Sequence, residues 1–470
     1  MQQLSPQDAM FAYMERPNTP LQIGWLNIYD PSAAPEGKVR FKSILEHVEQ
    51  RLHLVRFFRE RLMFVPAHFD EPYWVDDEGF DLEYHIRHVA LPAPGDWRQL
   101  CILVSRLFAR PFDFNKPLWE FHVIEGLENV DGFPPGSFAL LAKIHHSAAD
   151  GVSGADVTTA LHTLDEAAQA VAAPTWDPEK APKPASLLLR AQVKRMRNPG
   201  STIATIARSL PVLKKIKSSI DAGDLRKPVK HKVPQTRFSG PIGPHRVFDA
   251  RRFQIEEMRP IRDLVPGATV NDVLLAISAG ALRRYLLDKG ELPEDMLVST
   301  CPISIRSEEE RGLLGNRIAN MVIGLGTNIA DPIERLRGIR EETANAKGVN
   351  EAIGARTLTD LSELMPGRLV SLATRVSTRV GGGAVANTTV TNVPGPQQPL
   401  YFAGARLITQ FGLGTLLEGM GIFHFVLSYC GEITLTVVAD RDKLPDPAHY
   451  ADCLQQAYDE LRDAASATRS

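Results

Sequence analysis

His145 and His146 stand side by side in the string Ile144-His145-His146-Ser147-Ala148-Ala149-Asp150-Gly151, which brings two imidazoles and a carboxylate within six residues. They close an apolar run, Phe138 to Ile144, whose length and lack of breakers suit a buried strand. Asp150-Gly151 reads as a turn, and Val152, Ala155, Leu161 and Leu164 follow in a segment able to form a helix. The histidines are therefore expected where a strand ends and a loop begins, at the boundary between buried scaffold and accessible space.

Neighbouring side chains on an extended strand point to opposite faces, so the two rings cannot easily share a metal ion. A helical zinc pair needs histidines four apart around a glutamate, which this stretch lacks. No metal is expected. General base catalysis fits better, because a neutral imidazole has an unperturbed pKa of about 6.5, close to working pH. One ring is expected to face a cavity while the other packs inward, with His146 as the base. Two rival readings stay open. The pair is also compatible with histidines that are merely packed at a strand end, and Gly151-Val152-Ser153-Gly154-Ala155 resembles a nucleophile elbow whose last position is Ala, so Ser153 is a candidate hydrolase nucleophile. Gly381-Gly382-Gly383 lacks the Lys-Ser/Thr of a phosphate loop.

The elements that must position these residues alternate in type. The chain has 470 residues, 44% apolar and 23% charged, with a formal net charge of −3, enough for two globular domains. No apolar run approaches the ~18 residues of a membrane span. The N-terminal residues Met1 to Ser5 lack the blocks of a secretory leader, and Cys101, Cys301, Cys430 and Cys453 form no CxxC. Reduced thiols and a cytoplasmic location are expected.

In a first block, 1–165, Ser5-Pro6 reads as a helix start, Leu21 to Tyr29 as a strand, Phe41 to Arg51 as an amphipathic helix, and Phe80 to His85 and Trp119 to Ile124 as strands. A second block, 241–470, contains an apolar helix from Val270 towards Tyr285, opened by a polar cap, and a strand from Val298 to Arg306 in which Pro302 limits the place in a sheet. Strands alternating with helices indicate an α/β fold.

Between the blocks, 166–240 is first rich in Ala and Pro and then basic. Residues 180–237 carry 15 Lys/Arg against Asp221 and Asp224, a charge of +13, which leaves −16 for the rest of the chain. Ile203, Ile206, Leu210, Leu213, Ile216 and Ile220 recur at helical spacing opposite Arg208, Lys214, Lys215 and Lys217. Two readings are open for segment 185–220: a helix lying on an anionic membrane or lipid-droplet surface, or a linker helix packed on its own protein. Nucleic acid is not expected, since no binding motif accompanies the charge.

The string HHSAADG matches the HHxxxDG motif of acyltransferases related to chloramphenicol acetyltransferase and peptide condensation domains. With Pro117-Leu118-Trp119 shortly before it, the chain resembles the bacterial wax ester synthase/acyl-CoA:diacylglycerol acyltransferases. Asn271-Asp272, the PISIR string ending at Arg306, Gly315-Asn316, Asn392-Val393-Pro394-Gly395-Pro396, Ser428-Tyr429 and Ala439-Asp440-Arg441 also look like family motifs, so the resemblance runs nearly end to end.

The resemblance implies two chloramphenicol acetyltransferase-like domains, each a mixed sheet flanked by helices, joined by a partly helical basic linker. It implies transfer of a long-chain acyl group from acyl-CoA to a fatty alcohol or diacylglycerol, with no permanently bound cofactor. His146 would act as general base without an acyl-enzyme. Asp150, beside Gly151, would pair with Arg306 across the two blocks, and Asn271 is either an oxyanion donor or a helix cap.

Overall fold

The computed structural model describes residues 1–149, 154–166, 174–197, 231–304, 318–353 and 384–467. Two six-stranded mixed sheets carry them, with helices packed on their faces. The first runs in the order β12 (Tyr401–Phe402), β13 (Ala405–Leu413), β2 (Gln22–Asp30), β7 (Phe138–His145), β6 (Trp119–Glu125) and β5 (Ile86–Ala90). Only its β5–β6 pair is parallel. The second runs β10 (Ile318–Gly324), β9 (Val298–Ser304), β11 (Thr388–Val393), β14 (Ile422–Tyr429), β15 (Glu432–Asp440) and β8 (Arg246–Gln254), with β11 parallel to both of its neighbours. A small antiparallel sheet joins β1 (Gln2–Gln3), β4 (Tyr73–Asp76) and β3 (Glu60–Met63).

The expected elements largely form. Ser5 caps helix Pro6–Met14 through its Oγ, which accepts the Asp8 amide at 3.1 Å. Helix Phe41–Glu49 buries Ile44 and Val48 on one face. Phe80 to His85 is a correction: Asp81 caps a single helical turn, Leu82–His85, and the strand begins only at Ile86. Pro302 lies where β9 is paired with β10 alone, since the β9–β11 register covers Ser299 and Thr300 and stops before it. There its missing N–H interrupts no ladder on the β11 side.

The sheets do not follow the order of the chain. Residues 401–413, far down the second block, add β12 and β13 to the first sheet, and β13 pairs with β2 from Asp30 to Gly24. This crossing ties the lobes together. Thr434 and Thr436 of β15 donate their hydroxyls to the carbonyls of Gln410 and Gly412 on β13, at 2.7 and 2.5 Å. A side chain at Gly412 would collide with the Phe425 ring, so glycine permits the approach. One core cluster joins Leu26, Ile28 and Leu141 of the first sheet to Leu100 and Val104 of helix Trp97–Phe108 and to Phe248, Ala250 and Val438 of the second sheet.

Part of the basic linker is described. Helix Pro184–Arg197 packs Leu187 and Ala191 on Val65, beside the small sheet, and Lys194 reaches Asp70 at 3.2 Å. Its opposite face leaves Leu189 and Met196 exposed. The repeat from Ile203 to Ile220 lies outside the described residues. No helix among the described residues is long and apolar enough to cross a membrane, and the four cysteines are free thiols.

Candidate active site

β7 ends at His145 and a single helical turn, His146–Ala149, follows at once. Extended geometry therefore stops one residue earlier than the sequence suggested, yet the two rings still part company. β6 fixes the strand end: Trp119 pairs with Ile144, and the Leu118 carbonyl accepts the His145 amide at 3.0 Å. This gives Pro117-Leu118-Trp119 a physical role. Leu118 packs with Leu4 and Ala9 at helix Pro6–Met14, while Trp119 stacks on His85 at 4.5 Å and donates its indole N–H to the Phe58 carbonyl at 3.0 Å.

The His145 ring is fully buried and both of its nitrogens are engaged. Its Nε2 lies 2.8 Å from Oε2 of Glu15, and its Nδ1 accepts the Ser147 amide at 3.1 Å. That arrangement places the ring proton on Nε2, pointing at the carboxylate. The edges of Phe112 and Phe114 close the remaining sides.

His146 is held differently. Its amide donates to the Leu21 carbonyl at 2.8 Å, and its ring stacks on Phe11 with centroids 3.9 Å apart. Nδ1 is buried without a hydrogen-bond partner, while the residue as a whole stays partly exposed. Burial, and secondarily the neighbouring His145, lowers its pKa to about 4. The ordinary value near neutrality assumed from the sequence does not hold, because lost hydration outweighs what the residue's own backbone carbonyl restores.

Residues 15–21 support both histidines and also touch the second block. Glu15 accepts the Leu21 amide at 2.8 Å as well as the His145 ring. Ser147 donates its hydroxyl to the Asp8 carbonyl at 2.9 Å. In the opposite direction Arg16 pairs with Glu418 at 3.5 Å, the Pro20 carbonyl accepts the Thr415 hydroxyl at 2.8 Å, and Arg246 donates to the Asn18 carbonyl. The segment that holds the His146 backbone thus also bridges to the second lobe.

Asn271 and Asn392 meet each other on the second lobe: Asn392 at the end of β11 donates its Nδ2 to Asn271 Oδ1 at 3.1 Å. Asn271 is not the cap of helix Val270–Asp288. Thr269 is, in a reciprocal box with Asp272, whose other oxygen accepts the Thr343 hydroxyl at 2.7 Å. Asp272 is therefore a structural residue. Pro394 is exposed, and Gly395 next to it donates its amide to Ser428 Oγ at 3.2 Å. Asp440, buried, accepts the Gly243 amide at 2.6 Å. Asp150, Gly151, Ser153 and Arg306 lie outside the described residues, and the expected Asp150–Arg306 pair with them.

Glu15 was missed from the sequence although a signal existed. It sits at the C-cap of helix Pro6–Met14, where a carboxylate meets the negative end of the helix dipole. A charge placed there against local preference points to a partner elsewhere.

Comparison with known proteins places this geometry in a family. The wax ester synthase/diacylglycerol acyltransferase catalytic domain model matches residues 4–274, and the corresponding C-terminal domain model matches 314–462. A putative diacylglycerol O-acyltransferase of Mycobacterium tuberculosis is 33% identical over 99% of this chain and 91% of its own. A second from the same species is 32% identical over 99% and 98%. The solved wax ester synthase/diacylglycerol acyltransferase of Marinobacter aquaeolei VT8 superposes with a TM-score of 0.68 at 26% identity, covering 99% of this chain and all of that one. The starter condensation domain of rhizomide synthetase shares the fold, with a TM-score of 0.56 at 14% identity over 98% of this chain and 94% of its own. The chain belongs to the wax ester synthase/diacylglycerol acyltransferase family and is an acyltransferase.

Proposed function

We propose that the protein moves a long-chain acyl group from acyl-CoA to the hydroxyl of a fatty alcohol or a diacylglycerol, giving a wax ester or a triacylglycerol, with His146 as general base and no acyl-enzyme. The observation that carries the choice of base is the difference between the two rings: His145 has both nitrogens committed, whereas His146 is partly exposed and has no ring partner at Nδ1. Base action needs the tautomer with the proton on Nδ1, which leaves the Nε2 lone pair for the substrate hydroxyl.

An alcohol is a weak nucleophile at neutral pH, so His146 takes its proton as the oxygen attacks the thioester carbonyl. The carbonyl oxygen becomes an oxyanion, and its collapse expels the CoA thiolate, which receives the proton back from His146. General base action is worth ~10²- to 10⁴-fold. A pKa of about 4 makes the ring a weak base that is always unprotonated at neutral pH, so orienting both substrates carries much of the remaining acceleration. Asn271 is the proposed oxyanion donor: accepting from Asn392 turns its Oδ1 away and leaves Nδ2 to donate. Asp150 is proposed to pair with Arg306 and so to join the blocks; a pair of this kind, if buried, costs ~3–5 kcal/mol to break from one side.

Contact with a lipid surface through segment 185–220 belongs to the same proposal. It is supported by the exposed Leu189 and Met196 on the helix that opens this basic stretch.

The deciding experiment follows thiol release from palmitoyl-CoA with and without an added long-chain alcohol or diacylglycerol. Release that requires the acceptor and disappears in His146→Ala is the expected result. Release without acceptor, together with labelling of Ser153 by a fluorophosphonate, overturns it in favour of a serine hydrolase. Vesicle binding that survives His146→Ala with no thiol release under any condition leaves only a lipid-surface protein.

A further inference from the structure

Helices Val270–Asp288 and Pro447–Ala467 pack against each other in the second lobe. At one end of that contact Asp288, His449 and Cys453 converge, offering one carboxylate oxygen, one ring nitrogen and one sulfur that all lie within 4.8 Å of one another. His449 and Cys453 are four residues apart on one helix and so share a face. Asp288 ends the other helix, with its Oδ2 3.1 Å from His449 Nε2. We propose that this trio is a divalent transition-metal site, suited to Zn²⁺, with three protein ligands and a fourth position taken by water.

The donor set supports that choice. Thiolate and imidazole select a borderline-soft ion, and a carboxylate completes a set that zinc accepts, whereas magnesium and calcium prefer oxygen alone. Bonds of ~2.3 Å to sulfur and ~2.0 Å to nitrogen put tetrahedral donors about 3.5 Å apart; Asp288 and His449 already meet at 3.1 Å, and the widest separation, up to 4.8 Å, must close by roughly 1 Å. Asp288 and His449 are partly exposed, while Cys453 is buried and provides the fixed point. An ion pair joins Asp288 and His449, and Cys453, a member of the buried core of the second lobe, sets its sulfur beside them.

The surrounding charges are otherwise committed. Asp446 is taken by Lys289 and Tyr285, Asp452 by Arg251, and Arg284 by Glu460. Zn²⁺ bound to one carboxylate, one thiolate and a neutral imidazole forms a site of zero net charge. Binding releases the Cys453 proton to solvent. Metal affinity therefore rises with pH, because the proton must leave before sulfur can bind.

The site is independent of the acyl transfer reading, and its test needs no activity. The full chain, stripped with a chelator, is titrated with Co²⁺ and then with Zn²⁺. Expected are one equivalent bound, a thiolate-to-cobalt charge-transfer band in the near ultraviolet, its displacement by Zn²⁺, and a higher melting temperature with zinc. Cys453→Ser should abolish the band, and His449→Gln, at a partly exposed position that tolerates change, should weaken binding by at least about tenfold. Cys430→Ser, which removes the exposed thiol, should leave both unchanged. Absence of the band in the unaltered chain overturns the proposal, as does a band that survives Cys453→Ser.

Discussion

The Nε2 of His145 lies 2.8 Å from Oε2 of Glu15, and the same oxygen accepts the amide of Leu21 at 2.8 Å. One carboxylate thus orients the first histidine and fixes the segment whose Leu21 carbonyl holds the backbone of the second.

Glu15→Ala removes both interactions at once and leaves two donors without an acceptor in a buried place. Each costs ~1–3 kcal/mol. The expected result is a clear drop in the urea midpoint and a fall in kcat larger than any change in KM, since His146 loses its support rather than a substrate contact. Glu15→Gln, whose carbonyl oxygen can still accept both bonds but without the charge, should fall between. Turnover and midpoint identical to those of the unaltered chain in both variants would show that Glu15 supports nothing.

His146→Ala and His145→Ala should separate chemistry from scaffold. Removing the His146 ring loses one stacking contact with Phe11, worth about 0.5–1.5 kcal/mol, and also removes a buried nitrogen that has no partner. Its melting temperature should stay close to that of the unaltered chain while kcat falls ~10²- to 10⁴-fold. Removing the His145 ring leaves the Glu15 charge without a ring partner and the Ser147 amide without an acceptor, so stability should fall by several kcal/mol. Equal losses of stability in the two variants would contradict the division of roles.

How much of this was legible in the sequence depends on the range of the cause. Local signals were readable: the Ser5 cap, the alternation that makes β2, and the unbroken apolar run of β7 all depend on neighbours in sequence. The turn Leu82–His85 was read as strand because four residues are too few to display a helical period. Thr269 was passed over as a cap in favour of Asn271, two residues on, because both are good cap residues and only the bond to Asp272 decides. The placement of β13 beside β2 pairs residues nearly four hundred positions apart, and nothing in either strand's pattern names its partner. The Glu15–His145 pair, also distant, had only the misplaced charge at a helix end to announce it.

Asn271→Ala and Thr269→Ala test the two roles once assigned to one residue. Thr269→Ala breaks the reciprocal cap and should cost ~0.5–2 kcal/mol. Asn271→Ala leaves the cap intact and loses only the partly exposed bond to Asn392. Normal melting with ~10²-fold lower turnover is expected if its amide meets the oxyanion. Turnover within twofold of the unaltered chain would remove Asn271 from the chemistry.

The pH dependence of the reaction should not display an ordinary histidine. With His146 held at about 4 by burial, the ring is already unprotonated well below neutrality. kcat/KM, which reports the free enzyme, is expected to be flat from pH 6 to 8. An acid limb centred near 6.5 would mean that the ring is hydrated or charge-paired in solution, contrary to its place against Phe11.

Acid should nonetheless unfold the protein early. His47 bonds the Leu161 carbonyl, His162 bonds Tyr29 and Thr158, and His424 bonds Thr388 and Tyr450, all in the interior. Burial lowers their pKa values to about 4, 4 and 3. The unfolded chain, with histidines near 6.5, binds protons before the folded one does, so this stability is fully present above about pH 6.5 and is lost as pH falls below it. Between pH 7 and 5 each ring withdraws about 2 kcal/mol. Glu120 moves the other way, its pKa lowered to about 2 despite burial, by His122 and Lys143, and its share persists down to the ordinary carboxylate range, so it does not mask the loss. Urea midpoints should therefore drop steeply between pH 7 and 5. Replacing His162 by Gln, which is neutral at both pH values, should lower the midpoint at pH 7 and shallow the slope, while His146, His85 and His122, also lowered by burial, keep their share of it. A midpoint that stays constant down to pH 5 would mean that these rings are solvated or paired with carboxylates, and that the interior of the first sheet is not the dry polar network that Tyr29, His162 and Asn27 form.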